Sequence, residues 1–286
     1  MHRIGFIGAG PVGTAFAISL SRHGYEVTAV HDVNRDAAES FARRLTGCRV
    51  CGTAQDLADG AEFVFITTPD DIIARVAGQL TWHTGQAVIH CSGACSTDIL
   101  EPARKQGTIV GSIHPCQTFA SIDQAIENLP GSTFAIQAEE PMLGALKDIA
   151  VALGGNWVQL TAEDKILYHA SAAIACNYFH TIVKLAADLW QDFDKSTGEA
   201  TQALLPLLRG SLNNLSTVGL PHCLTGPIAR GDLGTIRKHV DALARRAPST
   251  LPLYKALGME TIPIALAKGT IDQAVADELR ELLKPD

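Results

Sequence analysis

The stretch Ile4-Gly5-Phe6-Ile7-Gly8-Ala9-Gly10-Pro11-Val12-Gly13-Thr14-Ala15 limits what this chain can fold into more than any other. It reads as a short apolar strand, a tight turn and the start of a helix. Gly8, Gly10 and Gly13 supply the G-x-G-x-x-G spacing. The first glycine permits the sharp turn, the second lets a pyrophosphate approach bare backbone, and the third lets helix pack closely on strand. The first helical turn, Pro11 and Val12 included, offers N–H groups and partial positive charge to phosphates, and Pro11 sits where its missing N–H is no loss. A second strand, Glu26 to Val30, ends near Asp32, about 20 residues past the glycines, where a carboxylate would hold ribose hydroxyls. The stretch reads as a dinucleotide site. Asp32 favours NAD over NADP by repelling a 2′-phosphate, although Arg35 nearby offers the phosphate a partner.

Downstream, short apolar runs alternate with helical patterns as far as residue 160. Glu62 to Ile66 is a continuous apolar run of the kind buried on both faces. Ala87 to Cys91, Thr108 to Ile113, Thr133 to Gln137 and Asn156 to Leu160 are further expected strands, with helices at Asp71 to Leu80, around Asp98 to Gln106 and at Pro141 to Leu153. This alternation predicts an α/β Rossmann domain with a doubly wound, largely parallel sheet over residues 1–160. From Thr161 no strand pattern returns. Residues 161–286 are expected to be an all-helical domain for substrate binding and dimerisation, with helices near Asp164–Trp190, Thr197–Leu215, Leu233–Arg246, Leu251–Lys268 and Ile271–Leu283.

Composition narrows the function classes. The chain has 286 residues, 47% hydrophobic and 19% charged, with a net charge of −7. No dense Lys/Arg cluster invites a nucleic-acid backbone. The most apolar long segment, Ile166 to Val183, contains His169, Asn177 and His180, so a buried helix is expected rather than a membrane span. Seven cysteines are scattered. Cys48 and Cys51 have C-x-x-C spacing, but no second pair or clustered histidine completes a metal site. Reduced thiols, no metal, no secretory signal and a cytoplasmic location are the expectation.

Candidate chemistry gathers where strands end. Thr67, Thr68 and Pro69 would line the nicotinamide side of a cofactor cleft. Ser92 and Gly93 could present a hydroxyl and backbone N–H groups to a cofactor or a carboxylate, or simply form a helix-entry turn. His114, before Pro115, either meets substrate or hydrogen-bonds its own loop. Arg230 could bind a substrate acid bidentately, or pair with Asp232 to brace its loop.

Ser92-Gly93, Gly111-Ser112-Ile113-His114-Pro115, Tyr168-His169-Ala170 with Asn177, and Leu224 to Asp232 together resemble a family of Rossmann-like proteins with a helical C-terminal domain of unknown function. That family lies within the 6-phosphogluconate dehydrogenase-like superfamily. More distantly, the Gly-x-His-Pro arrangement resembles prephenate dehydrogenases, whose histidine meets substrate. Ketopantoate reductases carry Lys-x-x-x-Asn-x-x-x-Asn on the first long helix of their second domain. The similar register here reads His169, Ala173, Asn177, so one asparagine is lost and His169 stands for the lysine. Imidazolium can supply a proton near neutral pH, and Lys165, one turn earlier, is a competing donor. Asn177, roughly 12 Å along the helix, would bind another part of substrate or the nicotinamide ribose. The resemblance implies an NAD(P)-dependent oxidoreductase of a small carbonyl or hydroxy acid, working as a homodimer. A ketopantoate reductase-like enzyme and a non-catalytic dinucleotide-binding regulator are the alternatives.

Overall fold

The computed structural model describes residues 2–285. The first half alternates as the apolar runs predict: β1 (Arg3–Ile7), α1 (Pro11–Arg22), β2 (Glu26–His31), α2 (Arg35–Arg43), β3 (Arg49–Val50), α3 (Ala54–Gly60), β4 (Phe63–Ile66), α4 (Asp70–Gln79), β5 (Ala87–His90), α5 (Glu101–Arg104), β6 (Ile109–Pro115), α6 (Ile122–Asn128), β7 (Thr133–Ala138), α7 (Met142–Ala152) and β8 (Asn156–Gln159). These strands form one eight-stranded sheet in the order β3-β2-β1-β4-β5-β6-β7-β8. Every neighbouring pair is parallel except β6 and β7. The doubly wound, largely parallel sheet read from the sequence is therefore present. The order reverses between β1 and β4, so the carboxyl ends of β1, β4, β5 and β6 lie side by side, where such sheets gather ligands.

The central strands β1, β4 and β5 are covered on both faces, which is why they are largely apolar. One face packs Phe6, Phe16, Phe41, Phe65 and Phe134 with Leu129 and Leu146. Phe6 stacks on Phe65 with ring centroids 5.0 Å apart, and Phe16 meets Phe134 edge-on at 5.8 Å. The other face packs Leu57, Val64, Ile66, Ile73, Val88 and Leu100. Cys48 packs on the first face and Cys51 lies in the second. Both are free thiols, and burial, with Cys51 nearby, pushes Cys48 up to about 11.

Several expected boundaries shift. The helix expected around Asp98–Gln106 is a 3-10 turn, Thr97–Leu100, followed by the short α5, whose first turn holds Pro102. The long helix expected from Asp164 to Trp190 comes in pieces: α8 (Asp164–Ala172), a π-helical turn (Ala173–Asn177), α9 (Tyr178–Asp188) and a 3-10 end, Leu189–Phe193. The chain forms two compact units, Met1–Cys176 and Asn177–Asp286. The strands stop where the sequence change at residue 161 marks, but α8 still packs with the sheet, held by the buried Lys165. The second unit comprises α9, α10 (Thr197–Thr217), α11 (Leu233–Arg246), α12 (Leu251–Lys268) and α13 (Gln273–Leu283). Ile236, Ile262, Ala265, Leu279 and Leu283 form its core. Ser196 and Glu199 form a capping box on α10, and Asp232 and Asp272 cap α11 and α13. Among the described residues no helix is long and apolar enough to cross a membrane.

Candidate active site

At the carboxyl end of β1 the glycines take the roles their spacing predicts. Gly8 has φ +111°, and a methyl group on it would lie 2.7 Å from the Thr67 carbonyl carbon. A methyl on Gly13 would lie 2.5 Å from Thr67 Oγ1 and 2.7 Å from the Gly8 carbonyl oxygen. Around Gly10 there is open space within 4 Å. Glycine is thus forced at two positions by the protein itself, while the third leaves room for a ligand. Pro11 begins α1, whose first turn has no side-chain cap and no acidic residue, so its own first turn leaves the positive end open to an anion. Asp32 accepts from Ala9 N through Oδ2 and from Asn34 N through Oδ1, both at 2.7 Å. The carboxylate thereby ties the glycine turn to the end of β2. These residues fit a dinucleotide: an open glycine, an uncapped helix start and a fixed acid beyond the next strand.

Thr67 at the end of β4 donates to the Gly8 carbonyl at 2.7 Å, so its hydroxyl braces the glycine turn. Thr68 and Pro69 follow at the same edge, with Pro69 leading into α4.

The ends of β5 and β6 hold a cluster of polar groups around Gly93. A methyl group on Gly93 would lie 2.6 Å from His169 Cδ2 and 2.8 Å from His114 Nε2. The two imidazoles, read from residues 55 positions apart, meet edge to face with centroids 5.8 Å apart. His114 Nδ1 lies 2.8 Å from the Tyr168 hydroxyl. His169 is exposed, whereas burial, with Lys165 and His169 adding repulsion, pushes His114 down to about 4. It is a neutral imidazole at neutral pH.

Lys165 is not an exposed donor beside His169. It is 1% exposed and lies beneath the Ser92-Gly93 turn, where Nζ donates to the Ser92 carbonyl at 3.0 Å and to Ser112 Oγ at 2.9 Å. Burial brings it down to about 8, opposed by the nearby Cys91, Cys95 and Asp70. It remains a cation at neutral pH, and its charge acts on whatever binds above the turn.

Ser92 takes the second of the two readings open to it. Its hydroxyl donates to Asp70 Oδ2 at 2.7 Å and accepts from Cys95 N at 3.0 Å, while its own N–H donates to His90 Nδ1. With 4% exposure it forms the helix-entry turn and leaves no hydroxyl for a cofactor or substrate. His90, fully buried, accepts at Nδ1 and so carries its proton on Nε2, which has no partner of ordinary geometry among the described residues. Burial and the Lys165 charge push it down to about 3, with the Ser96 backbone a partial counterweight.

The other two candidates belong to the second unit. Asn177 is exposed in the π-helical turn, and Arg230 is exposed on the 3-10 turn Ile228–Arg230. The Asp232 carboxylate is taken by Thr235, through Oδ1 at 3.0 Å and Oδ2 at 2.7 Å, with Arg230 contributing through its charge. Asp232 is thus a helix cap before it is an arginine partner.

Tyr168, His90, Ser112 and Asp70 complete the cluster without having been singled out by the sequence. Tyr168 sits beside His169 in the same motif, which was its one available signal. No group of three His, Cys, Asp or Glu is placed to hold a metal ion among the described residues. A cavity of about 380 Å³ lies at the opposite, amino-terminal edge of the sheet, lined by His2, Tyr25, Phe63 and Asp148, away from this cluster.

Two family models match the chain. Residues 1–115 match the model of a Rossmann-like domain, and residues 132–261 match the domain of unknown function DUF2520. A structure from Bacteroides fragilis assigned as an NADP oxidoreductase superposes with a TM-score of 0.73 at 22% identity, covering 92% of this chain and 98% of that one. A pyrroline-5-carboxylate reductase from Coxiella burnetii superposes with a TM-score of 0.59 at 17% identity, covering 99% of each chain. An inositol 2-dehydrogenase from Cereibacter sphaeroides is 40% identical over 67 residues. That match spans 22% of this chain and 20% of the dehydrogenase, a fifth of the relative's length.

Proposed function

We propose that this chain, a Rossmann-like domain followed by DUF2520, is a nicotinamide dinucleotide-dependent oxidoreductase acting on a small carbonyl or hydroxy acid. The observation that carries the reading is the meeting of His114 and His169 over Gly93 at the strand edge that also holds the glycine turn. Gly8, Gly10, Pro11, Val12, Gly13 and Asp32 would hold the dinucleotide, with Thr67, Thr68 and Pro69 beside its nicotinamide end. When bound, the cofactor supplies or accepts a hydride.

The chain's own residues handle the proton and the charge. His169, exposed toward the site, holds or receives a proton at a ring nitrogen, and His114 presents Nε2 to the same space. The Lys165 ammonium beneath the turn favours negative charge above it, as on an alkoxide or a substrate carboxylate. Gly93 offers backbone where any side chain would displace both rings. In the second unit, Leu207, Leu212 and Leu215 leave α10 with exposed apolar surface that fits a second copy of the chain. A homodimer in the cytoplasm completes the reading.

The test is loss of reduced-nicotinamide absorbance, with NADH and NADPH in parallel, on a panel of 2-oxo acids including ketopantoate. Turnover that falls about 10²-fold or more in His169→Ala with dinucleotide binding retained supports the reading. Dinucleotide binding with no turnover of any acid would contradict it and favour a regulator.

A further inference from the structure

His114 poses a problem that the neighbouring residues resolve. An imidazole acting as a general acid ordinarily does so as imidazolium, yet burial and the Lys165 and His169 charges hold His114 neutral until about pH 4. A neutral ring carries one proton, and its value to the site depends on which nitrogen bears it. Nε2 is the atom facing Gly93, and Nδ1 faces the Tyr168 hydroxyl at 2.8 Å. Tyr168 in turn is held protonated: burial, with the neighbouring Cys116 side chain adding to it, pushes its phenol well above its ordinary range.

We infer that Tyr168 donates its hydroxyl proton to His114 Nδ1, and so fixes the proton of the neutral ring on Nε2, pointing into the site. The choice between the two tautomers follows from donor and acceptor strength. A phenol O–H is a far better donor than a thiol, and an imidazole nitrogen a far better acceptor than sulfur. Tyr168 O–H is therefore given to Nδ1 in preference to the Cys116 sulfur. Tyr168 also meets the ring edge-on, with centroids 5.6 Å apart, which holds the imidazole plane. The remaining titratable groups near the ring are Lys165, His169 and His90, and Lys165 Nζ is engaged by the Ser92 carbonyl and Ser112 Oγ.

This arrangement lets His114 deliver a proton without becoming a cation. A substrate oxygen takes the Nε2 proton and Nδ1 takes the Tyr168 proton, which the partly exposed Tyr168 oxygen regains from water. Each heteroatom gives one proton and gains one, and the imidazole ends as its other neutral tautomer. The inference rests on the oxidoreductase reading for its use in turnover, but the tautomer is a property of the resting protein.

The experiment reads the two separately. Long-range 1H–15N correlation spectra of 15N-labelled protein, with His114 assigned from a His114→Gln variant, report which ring nitrogen is protonated. The expected spectrum at pH 7 shows Nε2 protonated and Nδ1 bare in the wild type, with loss of that single state in Tyr168→Phe. On a substrate found by the acid panel, Tyr168→Phe is expected to lower kcat about 10²-fold or more while KM moves far less, because a misplaced tautomer impairs the proton step and not binding. A wild-type ring protonated on Nδ1, or an unchanged tautomer in Tyr168→Phe, would overturn the inference whether or not turnover is found. Absence of turnover with the expected spectrum would overturn the oxidoreductase reading alone.

Discussion

Lowering the pH should unfold the sheet-containing unit through two histidines, and the size of the effect follows from their burial. His90 and His114 are held down to about 3 and about 4, against 6.5 for an exposed histidine. Both are bases whose folded pKa is depressed. Above 6.5 neither state binds the proton, so neither residue affects stability there. Below 6.5 the unfolded chain takes up protons that the folded chain refuses, so stability is lost as pH falls, down to about pH 4 for His114 and about pH 3 for His90. Between about pH 7 and about pH 5 each histidine should cost about 2 kcal/mol, at 1.36 kcal/mol per pKa unit. Together they cost about 4 kcal/mol, a large fraction of the stability of an ordinary domain. Lys165, brought down to about 8, is protonated in both states across this window and contributes nothing to the slope. The assay is urea unfolding followed by the fluorescence of the tryptophans, of which Trp82 is 4% exposed in this unit. Comparing the pH dependence of the wild type with His90→Gln and with His114→Gln cancels the carboxylates common to all three. Each variant should lose about 2 kcal/mol of pH dependence. A wild type and variants with parallel slopes would refute the claim that these rings are held neutral.

Other substitutions probe the cradle and the core. Gly93→Ala should displace both His114 and His169, since its methyl group would lie 2.6 and 2.8 Å from them. Turnover is expected to fall about 10²-fold while dinucleotide affinity holds, checked by kinetics and by binding titration. Gly13→Ala should weaken dinucleotide binding instead, because its methyl group would push on Thr67 Oγ1 and the Gly8 carbonyl, and a fluorescence titration with NADH and NADPH reads the loss. Asp32→Ala should loosen the turn that Ala9 N anchors and weaken both cofactors, with the larger loss for NADH. Phe65→Ala, which removes a fully buried ring stacked on Phe6, should cost about 3–5 kcal/mol in urea unfolding.

The parts legible in the sequence are those fixed by local backbone demands or by runs of one polarity. The glycine turn was readable because close approach and positive φ leave few residue choices, and the strands because burial on both faces requires continuous apolar runs. The cluster around Gly93 was readable only as separate candidates. Nothing local in the chain tells that His114 and His169 share one glycine, since that depends on the packing of α8 against the ends of β5 and β6. Lys165 reads as a donor competing with His169, and its burial is not legible because lysine is almost never fully buried unless paired. Its pairing with Ser92 and Ser112 comes from distant strands. The choice between the two readings of Ser92 was not legible for the same reason: its partner Asp70 begins a different helix. The compact units divide inside the helical run because α8 carries that buried lysine to the sheet, while the sequence pattern changes where the strands end.

The most direct test of the central claim asks whether the nicotinamide ring lies against the two imidazoles. In protein with selectively labelled histidine, nuclear Overhauser contacts can be sought between the nicotinamide C4 proton of bound NADP+ or NAD+ and the ring protons of His114 and His169. The account predicts contacts to at least one of the two rings, lost together with binding in Gly13→Ala. A bound dinucleotide with contacts to neither ring would contradict it.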